Sequence, residues 1–323
     1  MNSSVTPPPN AMGPVEDAMR YIAIATNALV LGLGLVGNGL VIWIMTAGRI
    51  TPPTFPSACY LHLAVADLLF SAGRVPAIVQ EALRSRWPFG RALCKLHSFA
   101  RYLVVFAGVF VLTLISLHRC LLVARPVWVR NHCRPRLGSW LIAGAWFLAI
   151  CFSIPYLVVR DVETRRGESF CVYQRDLRPF AEMPLRLSRF FAGFLGPFAI
   201  IATSYVVLAW KLGRRFWEGS RRTFALVLAV VLLFFICWLP HHILVLLSTF
   251  WDNKEKWGVP LKLANALAYL HSCINPVLYG LVGYARGRGR RRGSFLGIFR
   301  RALAEEEEGT DGMKASHSIS QNS

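Results

Sequence analysis

The sequence predicts an all-α membrane protein, a bundle of seven transmembrane helices followed by a short amphipathic helix. The chain has 323 residues, of which 54% are hydrophobic, and its mean hydropathy is +0.44. That is too apolar for an ordinary soluble domain. Seven apolar segments each approach or exceed the roughly 20 residues that cross a bilayer. They show no internal repeat of the kind found in transporters.

The seven predicted spans cover residues 21–46, 57–82, 95–123, 138–159, 187–211, 222–250 and 258–282. Residues 1–20 are predicted as an extracellular tail and residues 21–283 as the bundle. Prolines that lie well inside spans include Pro76, Pro197, Pro240 and Pro276. Each removes one intrahelical hydrogen bond and bends its helix. Such bends suit helices that swing, but they also suit prolines that only shape the bundle.

After the last span, residues 284–303 mix arginines with large apolar side chains. This pattern predicts an amphipathic helix on the inner leaflet of the membrane. Residues 304–323 are acidic and then serine-rich, which predicts a disordered cytoplasmic tail.

Loop charge predicts the orientation. An odd number of spans puts the two termini on opposite sides, and Lys and Arg are more frequent in the loops that would lie inside with the C-terminus. Asn2 begins an Asn-Ser-Ser triplet, a glycosylation acceptor, which favours an outside N-terminus. Because residues 1–17 contain no apolar signal segment, the first span is expected to direct insertion.

The net charge of +19 is assigned to inner-face residues that meet anionic membrane lipids. The basic residues form short clusters between apolar spans, so nucleic-acid binding is not expected.

Cysteine positions favour one disulfide. Of eight cysteines, only Cys94 and Cys171 fall in predicted outer segments, where oxidation is permitted. They can pair and tie the second outer loop to the top of the third span. The alternative is two free thiols.

The third span carries charges at different depths. From Cys94 to Arg119 a helix extends about 37 Å, longer than a hydrocarbon core of about 30 Å. Arg101 lies between them, and Asp67 lies near the middle of the second span. Charges inside spans are costly and indicate function. Asp67 suggests an ion or water site, or a structural hydrogen-bond hub.

Five motifs in order resemble the rhodopsin-like G-protein-coupled receptors over about residues 20–300. They are Gly37-Asn38, Leu63-Ala64-Val65-Ala66-Asp67, Trp146, Cys237-Trp238-Leu239-Pro240 and Asn275-Pro276-Val277-Leu278-Tyr279. Within that family the chain resembles the chemoattractant branch, which includes formyl-peptide, chemerin, anaphylatoxin and prostaglandin D2 type-2 receptors. The pointers are Leu61-His62-Leu63-Ala64, Cys94-Lys95-Leu96-His97, Arg125-Pro126-Val127-Trp128 with Asn131-His132, and Phe191 to Pro197.

The resemblance implies a plasma-membrane receptor rather than an enzyme. Its implied partners are an extracellular ligand, a heterotrimeric G protein of the inhibitory type and arrestin. Arg119 would meet the G protein, and Tyr205 and Tyr279 would stabilise the open state. The other implied sites are a connector between pocket and inner face (Trp238, Val109, Pro197 and Phe234) and a sodium and water cavity (Asp67 and Asn275).

Two departures from the family pattern stand out. His118 occupies the position of the acid that usually pairs with the arginine, and Ser220 stands about where a second acid is expected. This predicts weak restraint of the inactive state, seen as raised basal activity or altered coupling, unless packing compensates. Gly108 and His271 replace polar residues of the sodium cavity, so at most weak sodium binding is expected at Asp67.

The charged and aromatic side chains within the spans indicate the class of ligand. An amine receptor would have an aspartate at Arg101, and an opsin would have a lysine at Tyr269. Arg74, Arg101 and Arg189 are instead expected to converge on one cavity and bind an anion, either a lipid acid or a peptide carboxylate. The expected wall is Tyr102, Phe106, Phe190, Trp238, His241 and Tyr269. Alternatively, Arg74 and Arg189 snorkel or pair with Glu81 or Glu182.

Two other functions are compatible with parts of the sequence. One is a decoy receptor that binds ligand and recruits arrestin through phosphorylated Ser316, Ser318 and Ser320 with little G-protein coupling. The other is an intramembrane enzyme or transporter with a metal held by histidines. The histidines lack ligand spacing and fall on different spans, so no catalytic residue, metal or other cofactor is expected. They are His62, His241, His242 and His271.

Overall fold

The structure is a computed structural model, and it describes residues 13–47, 54–132, 135–212, 217–250 and 254–287. The helices are α1 (Pro14–Ala47), α2 (Phe55–Ala72), α3 (Arg74–Ala82), α4 (Gly90–Ala124), α5 (Pro126–His132), α6 (Pro135–Ser153), α7 (Pro155–Val159), α8 (Arg178–Phe190), α9 (Gly196–Leu212), α10 (Trp217–Phe250) and α11 (Lys254–Gly287). A π-helical turn, Phe191–Leu195, joins α8 to α9. Strands β1 (Arg160–Arg165) and β2 (Glu168–Tyr173) form a hairpin between α7 and α8.

Within the described residues, six helical stretches are long and apolar enough to cross a membrane. They correspond to the first six predicted spans, and α11 provides a seventh long helix of 34 residues. The predicted all-α bundle is therefore confirmed. The second, fourth and fifth spans are each built from two helices that follow one another closely.

Prolines explain where these spans are interrupted. Helix α2 ends at Ala72, four residues before Pro76, because proline offers no N–H to that carbonyl and its ring clashes there. The π-helical turn likewise lies just before Pro197. Pro240, in contrast, lies within an unbroken α10.

The ends of the bundle differ from the predicted boundaries. Helix α1 begins at Pro14, inside the predicted tail 1–20. Helix α11 continues past residue 283 to Gly287, so the first residues of the predicted amphipathic segment extend the last span. The rest of that segment, the tail 304–323, Asn2 and the three tail serines lie outside the described residues. Ser220 lies within α10, but its side chain is outside the described part of the structure.

Helix α4 forms the centre of the bundle and packs against α2, α6 and α9. Its buried side chains repeat along more than one face and include Val109, Leu112 and Ile115, which belong to the main apolar core. A helix that is apolar nearly all round is typical of one surrounded by other helices. This position lets α4 contribute residues to sites at several depths.

Small and polar residues join α1 to its neighbours. A Cβ atom built on Gly34 would lie 2.0 Å from the Ser71 Oγ and 2.7 Å from the Ser71 Cβ, so α1 and α2 approach closely there. One turn later, the Asn38 amide donates to the backbone carbonyl of Ser272 on α11, at 3.1 Å. Close backbone approach at small residues is typical of helix packing in membranes.

The β-hairpin closes one end of the bundle, which we refer to as the hairpin end. A disulfide between Cys94 and Cys171 ties β2 to the start of α4, which confirms the predicted pairing. The Arg160 guanidinium reinforces this tie, donating to the Ser98 Oγ at 3.2 Å and to the Cys171 carbonyl at 2.9 Å. Burial lowers the pKa of Arg160 from its ordinary value, since the charged form loses water.

The Gly34 contact generates a stability prediction. Gly34→Ala should destabilise the bundle by about 1–3 kcal/mol, the usual cost of overpacking, because the Ser71 Cβ cannot move without its backbone. We expect the thermal unfolding midpoint of the purified protein to fall by several degrees.

Gly32→Ala is the matched control, because no atom lies within 4 Å of a Cβ at that position. Its midpoint should stay at or above that of the wild type. Adding Ser71→Gly to Gly34→Ala should recover part of the lost stability. Equal midpoints for the two single variants would contradict the close approach.

Candidate functional site

A cavity lies near the hairpin end between α4, α8, the π-helical turn and α10. It contains about 410 Å³ of atom-free space, counted out to its mouth. Its lining is aromatic and basic: Arg101, Tyr102, Val105, Phe106, Arg189, Gly193, Trp238, His241 and His242. We call it the arginine cavity.

Arg101 reaches the cavity from α4. One of its terminal nitrogens donates a hydrogen bond to the Tyr269 hydroxyl on α11. The guanidinium carbon lies 5.3 Å from the centre of the Tyr269 ring and 5.7 Å from that of Tyr102. These are cation–π distances, so neutral aromatic groups stabilise the charge of Arg101.

Arg189 reaches the same cavity from the last turn of α8. Its Nη1 donates to the Tyr102 hydroxyl at 2.9 Å, and its Nε donates to the Leu185 carbonyl at 3.2 Å. The guanidinium carbon lies 5.0 Å from the centre of the Tyr102 ring. Tyr102 in turn stacks on Tyr156, with ring centres 3.7 Å apart. One tyrosine therefore contacts both arginines.

Arg74 corrects the predicted convergence of three arginines, because it does not line the arginine cavity. It begins α3, directly after the break at Gly73, and is buried. Its guanidinium carbon lies 4.1 Å from the centre of the Phe70 ring and 4.7 Å from that of Tyr269, and its Nε donates to the Phe70 carbonyl at 3.1 Å. Tyr269 lies between it and the cavity residue Arg101, since both guanidiniums contact the Tyr269 ring.

The alternative of internal ion pairs does not describe these arginines. Among the described residues, no carboxylate lies within salt-bridge distance of Arg74, Arg101 or Arg189. Glu182 accepts instead from Arg178, at 2.8 Å, and from Arg186, at 2.5 Å.

The predicted wall is partly observed. Tyr102, Phe106, Trp238 and His241 line the cavity, whereas Phe190 and Tyr269 do not. Sequence reasoning missed Val105, Gly193 and His242. The structure explains the glycine at position 193, since a Cβ there would lie 3.1 Å from the Phe106 ring.

A second cavity of about 370 Å³ lies deeper, between α2, α4, α10 and α11. Its lining includes Asp67, Gly108, Val109, Phe234, Trp238, His271 and Ser272. Trp238 and Val105 line both cavities. The predicted connector residues Val109, Phe234 and Trp238 therefore lie together below the arginine cavity, and Pro197 is buried on α9.

The described lining fits sodium poorly. A hard cation needs several oxygen ligands, and these side chains offer only the Asp67 carboxylate and the Ser272 hydroxyl, which donates to the Tyr269 carbonyl at 3.0 Å. The buried indole N–H of Trp238 has no hydrogen-bond partner among the described residues, and an N–H donor repels a cation. We derive no role for a bound ion.

Arg119 lies toward the opposite end of α4. Its Nη2 donates to the Tyr60 hydroxyl on α2 at 3.2 Å. His118 is buried, with its ring centre 5.1 Å from that of Phe55. Tyr60 and Phe55 were missed by sequence reasoning. Tyr205 is also buried, while the side chains of Asn275, Pro276 and Tyr279 lie outside the described residues.

The described part of the chain contains no cluster of three or more His, Cys, Asp or Glu side chains that could hold a metal ion. His62 packs edge-on against Trp146, with ring centres 6.3 Å apart.

Comparison with known proteins decides the family. The sequence model described as 7 transmembrane receptor (rhodopsin family) matches residues 37–279. The chain belongs to this family. It is thus a G-protein-coupled receptor of the rhodopsin class and not an enzyme.

Similar proteins indicate the branch of the family to which the receptor belongs. It is 36% identical to N-formyl peptide receptor 2 of Macaca mulatta over 317 residues, which cover 92% of this chain and 90% of the relative. It is 38% identical to C5a anaphylatoxin chemotactic receptor 1 of Oncorhynchus mykiss over 85% and 81% of the two chains. It is 36% identical to the C3a anaphylatoxin chemotactic receptor of Danio rerio over 89% and 79%. The receptor therefore belongs to the chemoattractant branch.

Proposed function

We propose that this receptor binds an anionic extracellular ligand in the arginine cavity and in response activates a heterotrimeric G protein of the inhibitory type. The supporting observation is the state of Arg101 and Arg189. Both guanidiniums face one cavity, and both donate only to neutral oxygens of the described residues.

The chemistry of the cavity favours an acid with an apolar body. A guanidinium binds a carboxylate through two parallel hydrogen bonds, and the attraction is stronger in a low-dielectric site than in water. Phe106, Trp238 and Val105 supply apolar wall beside the two charges. A lipid acid or the C-terminal carboxylate of a peptide has both features. The names of the relatives refer to a formyl peptide and to anaphylatoxins.

The proposed orientation puts the hairpin end outside the cell. The disulfide there requires an oxidising compartment, which the outer side of the plasma membrane provides. The N-terminus with Asn2 as a glycosylation site then lies outside. The Arg119 end, residues 284–303 and the C-terminal tail lie inside, where arrestin would bind phosphorylated Ser316, Ser318 and Ser320.

Trp238 is the proposed link between ligand and transducer. It lines both cavities from α10, and Pro240 lies half a turn further along the same helix. A ligand that contacts Trp238 better in one arrangement of α10 shifts the population toward that arrangement. In the proposed active state Arg119 contacts the G protein, and Tyr205 and Tyr279 stabilise the opened inner end.

His118 supports a second candidate, a decoy receptor that binds ligand and recruits arrestin without nucleotide exchange. A histidine cannot neutralise Arg119 as an acid would. In the structure the Tyr60 hydroxyl accepts one hydrogen bond from Arg119. Nucleotide exchange on a panel of purified G proteins separates the two candidates. Exchange on at least one G protein supports the signalling receptor, and arrestin recruitment without any exchange supports the decoy.

Removing either cavity arginine should weaken anionic ligands selectively. We expect Arg101→Ala and Arg189→Ala to lower the potency of an anionic agonist by about tenfold to a hundredfold, because a hydrogen bond to a charged group contributes about 1.5–3 kcal/mol. The measurement is agonist-dependent nucleotide exchange with a library of lipid acids and peptides.

The matched control is Arg175→Ala, which removes an exposed arginine that donates to Glu163 at 3.1 Å. It carries the same change in charge outside the cavity and should leave potency unchanged. Anionic agonists that act equally on wild type, Arg101→Ala and Arg189→Ala would refute the arginine cavity as their binding site.

Tyr60 generates a prediction about basal activity. Tyr60→Phe removes the phenolic acceptor of Arg119 and should raise ligand-independent nucleotide exchange, because the inactive arrangement loses a charge-assisted hydrogen bond. Tyr21→Phe, at an exposed position of α1, serves as the control and should leave the baseline unchanged.

The converse change is His118→Asp, which restores an acid beside Arg119. We expect a lower baseline, since a carboxylate holds the arginine more strongly than a phenol. An unchanged baseline in both Tyr60→Phe and His118→Asp would show that neither residue restrains Arg119.

A further inference from the structure

We infer that the ligand of the arginine cavity carries two negative charges at its binding end, one contacting Arg101 and the other contacting Arg189. This inference rests on the proposed anionic ligand and adds the charge of its head group. Either a phosphate monoester or two neighbouring carboxylates would meet the requirement.

The first support is the local excess of positive charge. Arg74, Arg101, Arg160 and Arg189 all lie around the aromatic groups at the hairpin end, and none has a carboxylate partner among the described residues. Their hydrogen bonds go to hydroxyl and carbonyl oxygens and, for Arg160, also to the Cys171 Sγ, and these neutral acceptors stabilise a charge without cancelling it. A single carboxylate would cancel only one of these charges.

The second support is that each cavity arginine keeps unused donors. Arg101 donates to Tyr269 through one terminal nitrogen, which leaves its Nε and Nη1 without a partner among the described residues. Arg189 uses its Nε and Nη1, which leaves its Nη2 without a partner in the same part of the chain. Each guanidinium can therefore receive an oxygen without breaking a bond already made.

The third support is proximity. The guanidinium carbons lie 5.7 Å and 5.0 Å from the centre of one ring, that of Tyr102, so they are no further apart than these two distances taken together. Two acid groups a few bonds apart can span any separation within this limit, and a single phosphate contacts both arginines at the shorter separations. A monoanion can contact both only by dividing its oxygens between them, which weakens each contact.

The apolar walls argue for a body attached to the head group. Phe106 is already buried by the protein, whereas Val105, which is half-buried, and the exposed edge of Trp238 would remain in contact with water beside a free inorganic ion. An alkyl chain or apolar side chain covers them and adds about 25 cal/mol per Å² of apolar surface removed from water. The expected ligand therefore joins a dianionic end to an apolar body.

The test uses two matched series of probes on the full-length receptor in phosphatidylcholine nanodiscs. The lipid series is dodecyl phosphate, its singly charged methyl ester and neutral dodecanol. The peptide series is one acetylated apolar tetrapeptide ending in glutamate, in glutamine, or in glutamine amide, with two, one and no negative charges. Binding is measured from the rise of the thermal unfolding midpoint with probe concentration, since a ligand of the folded state raises it by mass action.

Within whichever series binds, we expect the doubly charged probe to bind about tenfold to a hundredfold more tightly than the singly charged one, because it adds charge-assisted hydrogen bonds to the second guanidinium. Arg101→Gln and Arg189→Gln should each reduce this ratio to about one while retaining binding of the singly charged probe. Arg175→Gln should keep the full ratio. The series that binds identifies the lipid or the peptide as the source of the anion.

Two outcomes would overturn the inference, and they differ. If singly and doubly charged probes bind equally, and both weaken in the arginine variants, the dianion is wrong and the proposed anionic ligand remains. If no charged probe binds better than its neutral analogue, the proposed anionic ligand fails as well. Because the wild-type comparison decides both, a variant that fails to fold does not prevent the test.

Discussion

The bundle depends on one constraint: inside a hydrocarbon layer, every backbone N–H and C=O must be bonded within the chain. Long helices meet that constraint, and the departures occur where proline removes a donor. The break before Pro76 and the π-helical turn before Pro197 are two such places. These irregularities position the site, because Arg74 starts the helix after the first and Arg189 precedes the second. The proline-associated irregularities that interrupt these two spans therefore also determine the positions of Arg74 and Arg189.

The same constraint makes the charges informative. A guanidinium within a span is costly unless it has a partner, and here the partners are tyrosine rings, hydroxyls and backbone carbonyls. Such partners stabilise a guanidinium without cancelling its positive charge. Tyr102 and Tyr269 are therefore as important to the arginine cavity as the arginines, since they hold Arg189 and Arg101 in place.

The sequence predicted what depends on local properties and missed what depends on helix rotation. Hydropathy located the spans. Cys94 and Cys171 could be paired because they are the two cysteines in predicted outer segments. Both predictions need only the composition and side of each segment, not its contacts with other segments. Depth along a span placed Arg101 and Arg189 at a common level. Depth alone does not say which face a side chain occupies, so Arg74 was misplaced and His242 was missed. Tyr60 gave no signal, since only the packing of α2 against α4 brings it to Arg119.

The contact between Arg119 and Tyr60 also bears on the difference in binding free energy that a ligand must supply to shift the receptor toward its active arrangement. An acid beside the arginine would hold it by an ion pair, whereas the Tyr60 phenol accepts one hydrogen bond and carries no negative charge. In the proposed mechanism the Tyr60 contact favours the inactive arrangement by a smaller free energy than such an ion pair would. A ligand shifts a two-state equilibrium only by the difference in its affinity for the two states. In the proposed mechanism, a weaker restraint at Arg119 means that a smaller difference in ligand contact at Trp238 is enough to shift the population of α10.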